Sequence, residues 1–331
     1  MTRDTPPFAR RLVCGAALLI LLLANPALAS PASEAPASFL RAEDHRVAKI
    51  AYRLAIAGKP FCPDHWPASG LLLHHLGDYE PEDRPVVTAQ GLGEGPAILS
   101  VIADGPAAAA GLRAGDVLLA VNSRRLPDPA AAAAIEDDGA RRAAIVAVER
   151  ILEDALRDGP TELIVEREDK RLAVMLAPIS ACPLRIRLAR SPQVNGFVKD
   201  DYVIMTTAML AYARSDDELA IVIGHELAHV ILRHRERLAA EKSSGLRGAL
   251  GGNAARIWRT EEEADRLGLM LAWAAGYDLG AAIPFWRRFY GDFAKGGRLF
   301  RTHPSLAARE RIIAETFDEL RRLSERGPQR P

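Results

Sequence analysis

Two histidines one helical turn apart, with a glutamate between them, form the densest chemistry in the chain: His225-Glu226-Leu227-Ala228-His229. On an α-helix both imidazoles would project from one face and could hold a single metal ion. Glu226 is offset from His225 by about 100°, so its carboxylate reaches a water on the metal rather than the metal itself. That arrangement serves metal-assisted hydrolysis with a carboxylate as general base. Were these merely core residues, Glu226 would be an unpaired charge among apolar neighbours, which is costly.

A metal site that does chemistry needs a third protein ligand and an open position for water. Glu261-Glu262-Glu263-Ala264-Asp265 supplies candidates, because Glu261 and Asp265 share a helical face. Glu261 is the expected ligand. Asp265 is expected to accept from a ligand histidine and so fix its tautomer. Glu262 and Glu263 would face solvent. His234, five residues beyond His229, falls on another face of a continuous helix and is read as a partner of the helix C-terminus.

The elements that must position these groups are legible in outline. Ser215 and Glu218 make an S-x-x-E capping box that opens a helix from about Asp216 to His234. Tyr202-Val203-Ile204-Met205-Thr206-Thr207 reads as a strand, expected to be an edge that pairs with an extended chain. Residues 241–253 form a glycine- and serine-rich stretch, followed by a helix from about Thr260 to Ala275 that Gly276 ends. The acidic run therefore opens that helix. Further helices are expected over 284–293 and 305–324.

Upstream the texture differs. A helix over 39–57 is followed by a short, turn-rich stretch to Asp83. Then come a strand at 97–102, Gly105-Pro106-Ala107-Ala108-Ala109-Ala110-Gly111-Leu112, and Gly115-Asp116-Val117-Leu118-Leu119-Ala120-Val121-Asn122. Strands over 161–165 and 171–176 suit a hairpin. This order resembles a PDZ domain of the bacterial protease type, with a longer alanine-rich helical insert over 127–159. The resemblance implies that Gly91, Leu92 and Gly93 form the loop receiving a peptide carboxylate, beside an edge strand at 97–101.

Composition bounds the rest. With 43 basic and 43 acidic residues among 331, the chain has no charge excess for nucleic-acid binding, and no nucleic-acid partner is expected. Arg3, Arg10 and Arg11, an apolar run over 12–24 and Ala27-Leu28-Ala29 read as a signal peptide spanning 1–29. The run is too short to span a bilayer, although an uncleaved signal would serve as an N-terminal anchor. An exported protein, periplasmic or extracellular, is expected, with no transmembrane segment beyond the signal. Cys14 would leave with the signal, so Cys62 and Cys182 remain, and in an oxidising compartment they are expected to pair.

The second half resembles the gluzincin zinc metallopeptidases of the HtpX, BepA and CAAX-endoprotease type. The resemblance runs over about 195–320, through Asn195-Gly196-Phe197, the strand from Tyr202 to Thr207, Asp217-Glu218-Leu219-Ala220, His225-Glu226-Leu227-Ala228-His229, the stretch from Glu261 to Leu267, Ala275-Gly276-Tyr277-Asp278 and Thr302-His303-Pro304-Ser305. It implies one Zn2+ per chain held by His225, His229 and Glu261, with Glu226 as general base. It also implies that His303 is a displaceable fourth ligand or active-site partner. Arg309 or Arg311 could help to polarise the scissile carbonyl. The chain departs from these relatives in lacking the HtpX-type transmembrane helices around the site and the BepA-type helical repeats after it.

The whole reads as an α+β protein: signal over 1–29, linker and helical segment over 30–84, PDZ-like unit over 85–180 and metallopeptidase over 183–325. The expected activity is zinc-dependent hydrolysis of peptide bonds in misfolded or envelope proteins captured by the PDZ-like unit. The alternative is a latent protease that acts mainly as a PDZ-based quality-control adaptor.

Overall fold

Helix α1 (Ala37–Ala57) carries Val47, Ile50 and Leu54 at helical spacing, and all three are buried in the largest apolar core. It belongs to a computed structural model that describes residues 37–79, 81–89, 96–127, 131, 134–243, 252–293 and 303–325. The signal segment and the Gly91-Leu92-Gly93 loop lie outside the described residues. The architecture is α+β, as expected.

Strands β1 (Trp66–Ala68) and β2 (Leu71–His74) follow α1, then a short helix α2 (Arg84–Ala89), β3 (Ala97–Val101) and a one-turn helix α3 (Pro106–Ala109). Next come β4 (Val117–Val121), β5 (Arg124–Arg125), α4 (Asp138–Arg157), β6 (Thr161–Arg167), β7 (Lys170–Leu176) and β8 (Ile179–Ala181). One sheet has the order β2-β3-β4-β6-β7, with β5 pairing to β4. The β6–β7 hairpin turns through Glu168 and Asp169, both at positive φ, as a tight two-residue turn demands. Helix α4 buries Val148, Leu152 and Leu156 against Leu118, Leu163 and Leu176, closing a second, smaller core.

Two expectations change here. Strand β3 is not an edge, because β2 pairs with it antiparallel on one side and β4 on the other. β2 comes from the stretch expected to be only turns, where alternation is masked by Leu71-Leu72-Leu73. β2, not β3, is the terminal strand of this sheet.

The second half opens with β9 (Ile186–Ala189), β10 (Gly196–Lys199) and β11 (Tyr202–Thr206), then α5 (Thr207–Tyr212). α6 (Asp216–Ile231), α7 (His234–Ser243), α8 (Gly252–Ala274), α9 (Ala282–Phe293) and α10 (Leu306–Glu325) follow. The sheet order is β10-β11-β9, so the expected edge strand β11 is central and wholly buried, and β10 is the free edge near the helices. Helix α8 starts eight residues before the expected Thr260, which places Glu261 well inside it rather than in its first turn. Gly276, at φ +75°, ends it as expected.

Besides the packing of α1 into the second half, arginines join the two halves. Arg187 donates to Leu73 O at 2.6 Å and to Glu149 on α4, and Arg185 donates to Glu153 Oε1 at 2.8 Å. Tyr202 also donates to Glu149. Cys62 and Cys182 form a disulfide with Cα atoms 5.6 Å apart, across 120 residues of sequence.

Candidate active site

Helix α6 is anchored at its start. The Ser215 side chain accepts from Glu218 N–H at 3.2 Å, and the Glu218 carboxylate accepts from Arg214 N–H and from Arg288. Leu219, Ala220, Ile221, Val222, Ile223, Leu227 and Ala228 are buried along it. With nearly the whole helix surrounded, its histidines hold fixed positions relative to the core.

Close approach of a second helix completes the site. A Cβ on Gly224 would lie 2.8 Å from Gly268 O, and one on Gly268 would lie 2.7 Å from His225 N, so only glycines allow α6 and α8 to meet this closely. The contact sets Glu261 and Asp265 against the histidines. His225 Nε2 lies 3.4 Å from Glu261 Oε2, His229 Nε2 lies 3.6 Å from Glu261 Oε1, and the two imidazole Nε2 atoms are 3.3 Å apart.

One ligand atom from each of His225, His229 and Glu261 lies within 4.8 Å of the others, the one such group of three among the described residues. Glu261 Oε2 is buried and accepts no hydrogen bond, an expensive condition for a carboxylate oxygen unless a cation faces it. Two imidazoles, one carboxylate and an orphaned oxygen fit a divalent metal with tetrahedral preference.

Behind each imidazole stands a second partner. His225 Nδ1 is 2.8 Å from Asp265 Oδ1, and Asp265 Oδ2 accepts from Arg309 Nε at 2.8 Å. This is the arrangement anticipated for Asp265. His229 Nδ1 is 2.9 Å from His234 Nδ1, whose Nε2 is 3.1 Å from Glu263 Oε2. Glu263 in turn accepts from Arg237 at 2.7 Å.

His234 is therefore not a partner of the helix C-terminus. Helix α6 stops at Ile231, Arg233 takes a left-handed φ of 51°, and the chain reverses so that His234 opens α7 and points back at His229. Glu263 is partly exposed, as expected, but also pairs with His234 and Arg237. Glu262 does face outward, pairing with Arg266.

Electrostatics follow from burial and these pairings. Burial pushes the Glu226 carboxyl up to about 7, against the pull of His225. Burial opposes a charged His225, yet its hydrogen bond to Asp265 and the nearby Glu261 outweigh that and raise it to about 10. His229 drops to about 3 through burial and the neighbouring His225. Burial resists ionisation of Glu261, but His225 and the other imidazoles hold it down at about 2. The site thus keeps one carboxyl easily protonated beside one that stays anionic.

The histidines open into a cleft of about 640 Å³. β10 with Phe197 and Val198 forms one wall, Arg235, Leu238 and Ala239 of α7 another, and Trp286 and Phe289 of α9 a third. Glu226 lines the cleft, and His303 borders it with Nε2 3.5 Å from Glu261 Oε2. Arg309 is 1% exposed, its guanidinium stacked 3.9 Å from the Trp286 ring centroid and committed to Asp265. Arg311 is exposed and pairs with Glu315, away from the cleft. Arg311 therefore stands apart from the site, whereas Arg309 lines the cleft, holding Asp265 through Nε with Nη2 3.7 Å from Glu261 Oε2.

The structure thus brings His225, Glu226, His229, Glu261, Asp265 and His303 together. It leaves Cys62 and Cys182 elsewhere, in the disulfide. Sequence reasoning missed His234 and Glu263 as parts of the site. No sequence signal marked them, because their place depends on the left-handed backbone of Arg233.

Comparison with known proteins finds two families in the same order along the chain. Residues 165–250 and 249–316 match Peptidase family M48, and residues 98–150 match the PDZ domain family. The mitochondrial metalloendopeptidase OMA1 of Schizosaccharomyces pombe is 31% identical over 183 residues, covering 48% of this chain and 54% of that protein. The putative beta-barrel assembly-enhancing protease of Vibrio cholerae is 25% identical over 155 residues, covering 37% of this chain and 32% of its own length. The mitochondrial metalloendopeptidase OMA1 of Arabidopsis thaliana is 25% identical over 169 residues, covering 45% and 35%. The matched region therefore spans about half of the first relative and about a third of the other two.

Proposed function

We propose that this chain, which carries a peptidase family M48 domain preceded by a PDZ domain, is an exported zinc-dependent endopeptidase. The observation that carries this reading is the convergence of His225, His229 and Glu261 within 4.8 Å, in a cleft that Glu226 also lines. Export is supported by the signal pattern over 1–29 and by the Cys62–Cys182 disulfide, which suits an oxidising compartment. No helix among the described residues is long and apolar enough to cross a membrane.

Bound to His225, His229 and Glu261, zinc would supply Lewis acidity and a water far more acidic than bulk water. The remaining chemistry belongs to the chain. Glu226 takes the proton that water gives up as its oxygen bonds to the scissile carbonyl carbon. When the carbon–nitrogen bond breaks, Glu226 passes that proton to the leaving amine. The free edge of β10 can pair with the backbone of an extended substrate, aligning one peptide bond with the histidines. Val222, Trp286 and Phe289 offer that substrate apolar contact. The place of His303 beside Glu261 supports a role in attending the site.

The test uses Glu226→Gln and unfolded casein. Cleavage should fall by about 10²-fold or more, consistent with loss of a general base, while one zinc per chain remains bound. His225→Ala should lose the zinc. Unchanged cleavage in Glu226→Gln would rule the enzyme reading out and leave a PDZ-based adaptor.

A further inference from the structure

We infer that His234 and Glu263 form the support that holds His229 in its metal-binding orientation, and that this support sets how firmly the metal is kept. The inference rests on the metal site proposed above and extends it to residues outside the ligand set.

The proton bookkeeping is constrained by geometry. His229 Nε2 faces His225 and Glu261, so its lone pair must point into the site for a metal to be bound. The proton of a neutral His229 then sits on Nδ1, which is 2.9 Å from His234 Nδ1. His234 must accept there, which puts its own proton on Nε2, aimed at Glu263 Oε2 3.1 Å away. Glu263 is kept in place by Arg237. Every ring nitrogen along this row is assigned by its neighbour, and no other tautomer of His234 both accepts from His229 and donates to Glu263.

The row is a counterpart to Asp265 and Arg309 behind His225. It differs in reach. His234 is the first residue of α7, whose Arg235, Leu238 and Ala239 line the cleft, so the same bonds tie that wall to a metal ligand. It is also 2% exposed, so water cannot readily replace either bond. Glu263 lies two residues after Glu261 on α8, and one helix therefore delivers a ligand to the metal and a brace to the opposite histidine.

Zinc affinity, measured by competition with a chromogenic chelator, tests this in the full chain. His234→Ala should weaken zinc binding by about 10- to 100-fold, the range seen when a partner of a ligand histidine is lost. His234→Asn, whose amide oxygen can accept where Nδ1 does, should recover much of that loss. Glu263→Gln should weaken zinc in the same direction by a smaller factor. It lies at the more open end of the row, so it carries the test should His234→Ala fail to fold by circular dichroism. With cobalt(II) in place of zinc, the visible bands should shift in His234→Ala and return towards the parent in His234→Asn, which a purely structural role would not produce. Folded His234→Ala and Glu263→Gln proteins that both hold zinc within about twofold of the parent would overturn the inference. Failure of the unsubstituted chain to bind zinc would instead overturn the site itself.

Discussion

A histidine ring has two nitrogens, and on the rings of His225 and His229 each nitrogen has an assigned task. One side of His225 and of His229 points at Glu261, and the other side meets Asp265 or His234. That His225 and His229 share a face was legible from spacing, because a turn of helix is fixed by backbone geometry. The second row was only half legible. Asp265 shares the Glu261 face by the same arithmetic, whereas His234 depends on a chain reversal at Arg233 that no periodicity encodes. Away from the cleft, Asp44 on α1 illustrates a different kind of buried group. Burial is the main reason its carboxyl rises to about 7; Glu43 and Asp78 add to the rise and Arg187 opposes it. The unfolded chain releases this proton near pH 4 and the folded chain near 7, so the folded state binds more protons in between. The contribution of Asp44 to stability should therefore fall as pH rises from about 4 to about 7 and be level above that. Asp44→Asn should remove this fall and unfold at higher urea than the parent at pH 8. A parent-like pH dependence in the variant would refute the assignment.

Between elements, the decisive contact is the crossing of α6 and α8 at Gly224 and Gly268. Each glycine occupies a place where a methyl group would meet backbone, which cannot rotate away as a side chain can. Gly268→Ala should push the helices apart, costing about 1–3 kcal/mol in urea unfolding. It should also reduce zinc content, because Glu261 and Asp265 ride on the displaced helix. An alanine variant with parent stability and full zinc would show that the crossing is not what sets the site. The two helices were visible as amphipathic runs, but their meeting point was not, since a lone glycine in a helix marks equally a weak spot or a close contact. Strand pairing was similarly hidden. Tyr202–Thr206 reads as a strand from its β-branched and apolar residues, yet whether it is edge or centre depends on β9 and β10, each only four residues long.

At the scale of the whole molecule, the first described helix does not belong with the sheet that follows it. Val47, Ile50 and Leu54 of α1 pack in the same core as α6 and α8, and the six-stranded sheet lies between α1 and that peptidase core in sequence. Hydrophobic periodicity found α1 but could not say which core it would join. The cysteine pair bridges the base of this excursion, where the chain leaves and returns. Replacing both cysteines by serine should lower stability by about 4–5 kcal/mol if constraint of the unfolded chain dominates, as expected for a loop of this length. A loss below about 1 kcal/mol would place the stabilisation in the Arg185 and Arg187 contacts instead.

That closed circuit also changes what a break in the chain would mean. An intruding protease that nicked any exposed turn between Cys62 and Cys182 would leave two fragments still covalently joined. The helix ahead of the circuit would stay tethered to the half that carries the histidines, and an intact-sized species would persist until a reductant separated the pieces. The chain could thus lose continuity in its six-stranded sheet without shedding the helix that completes its largest core.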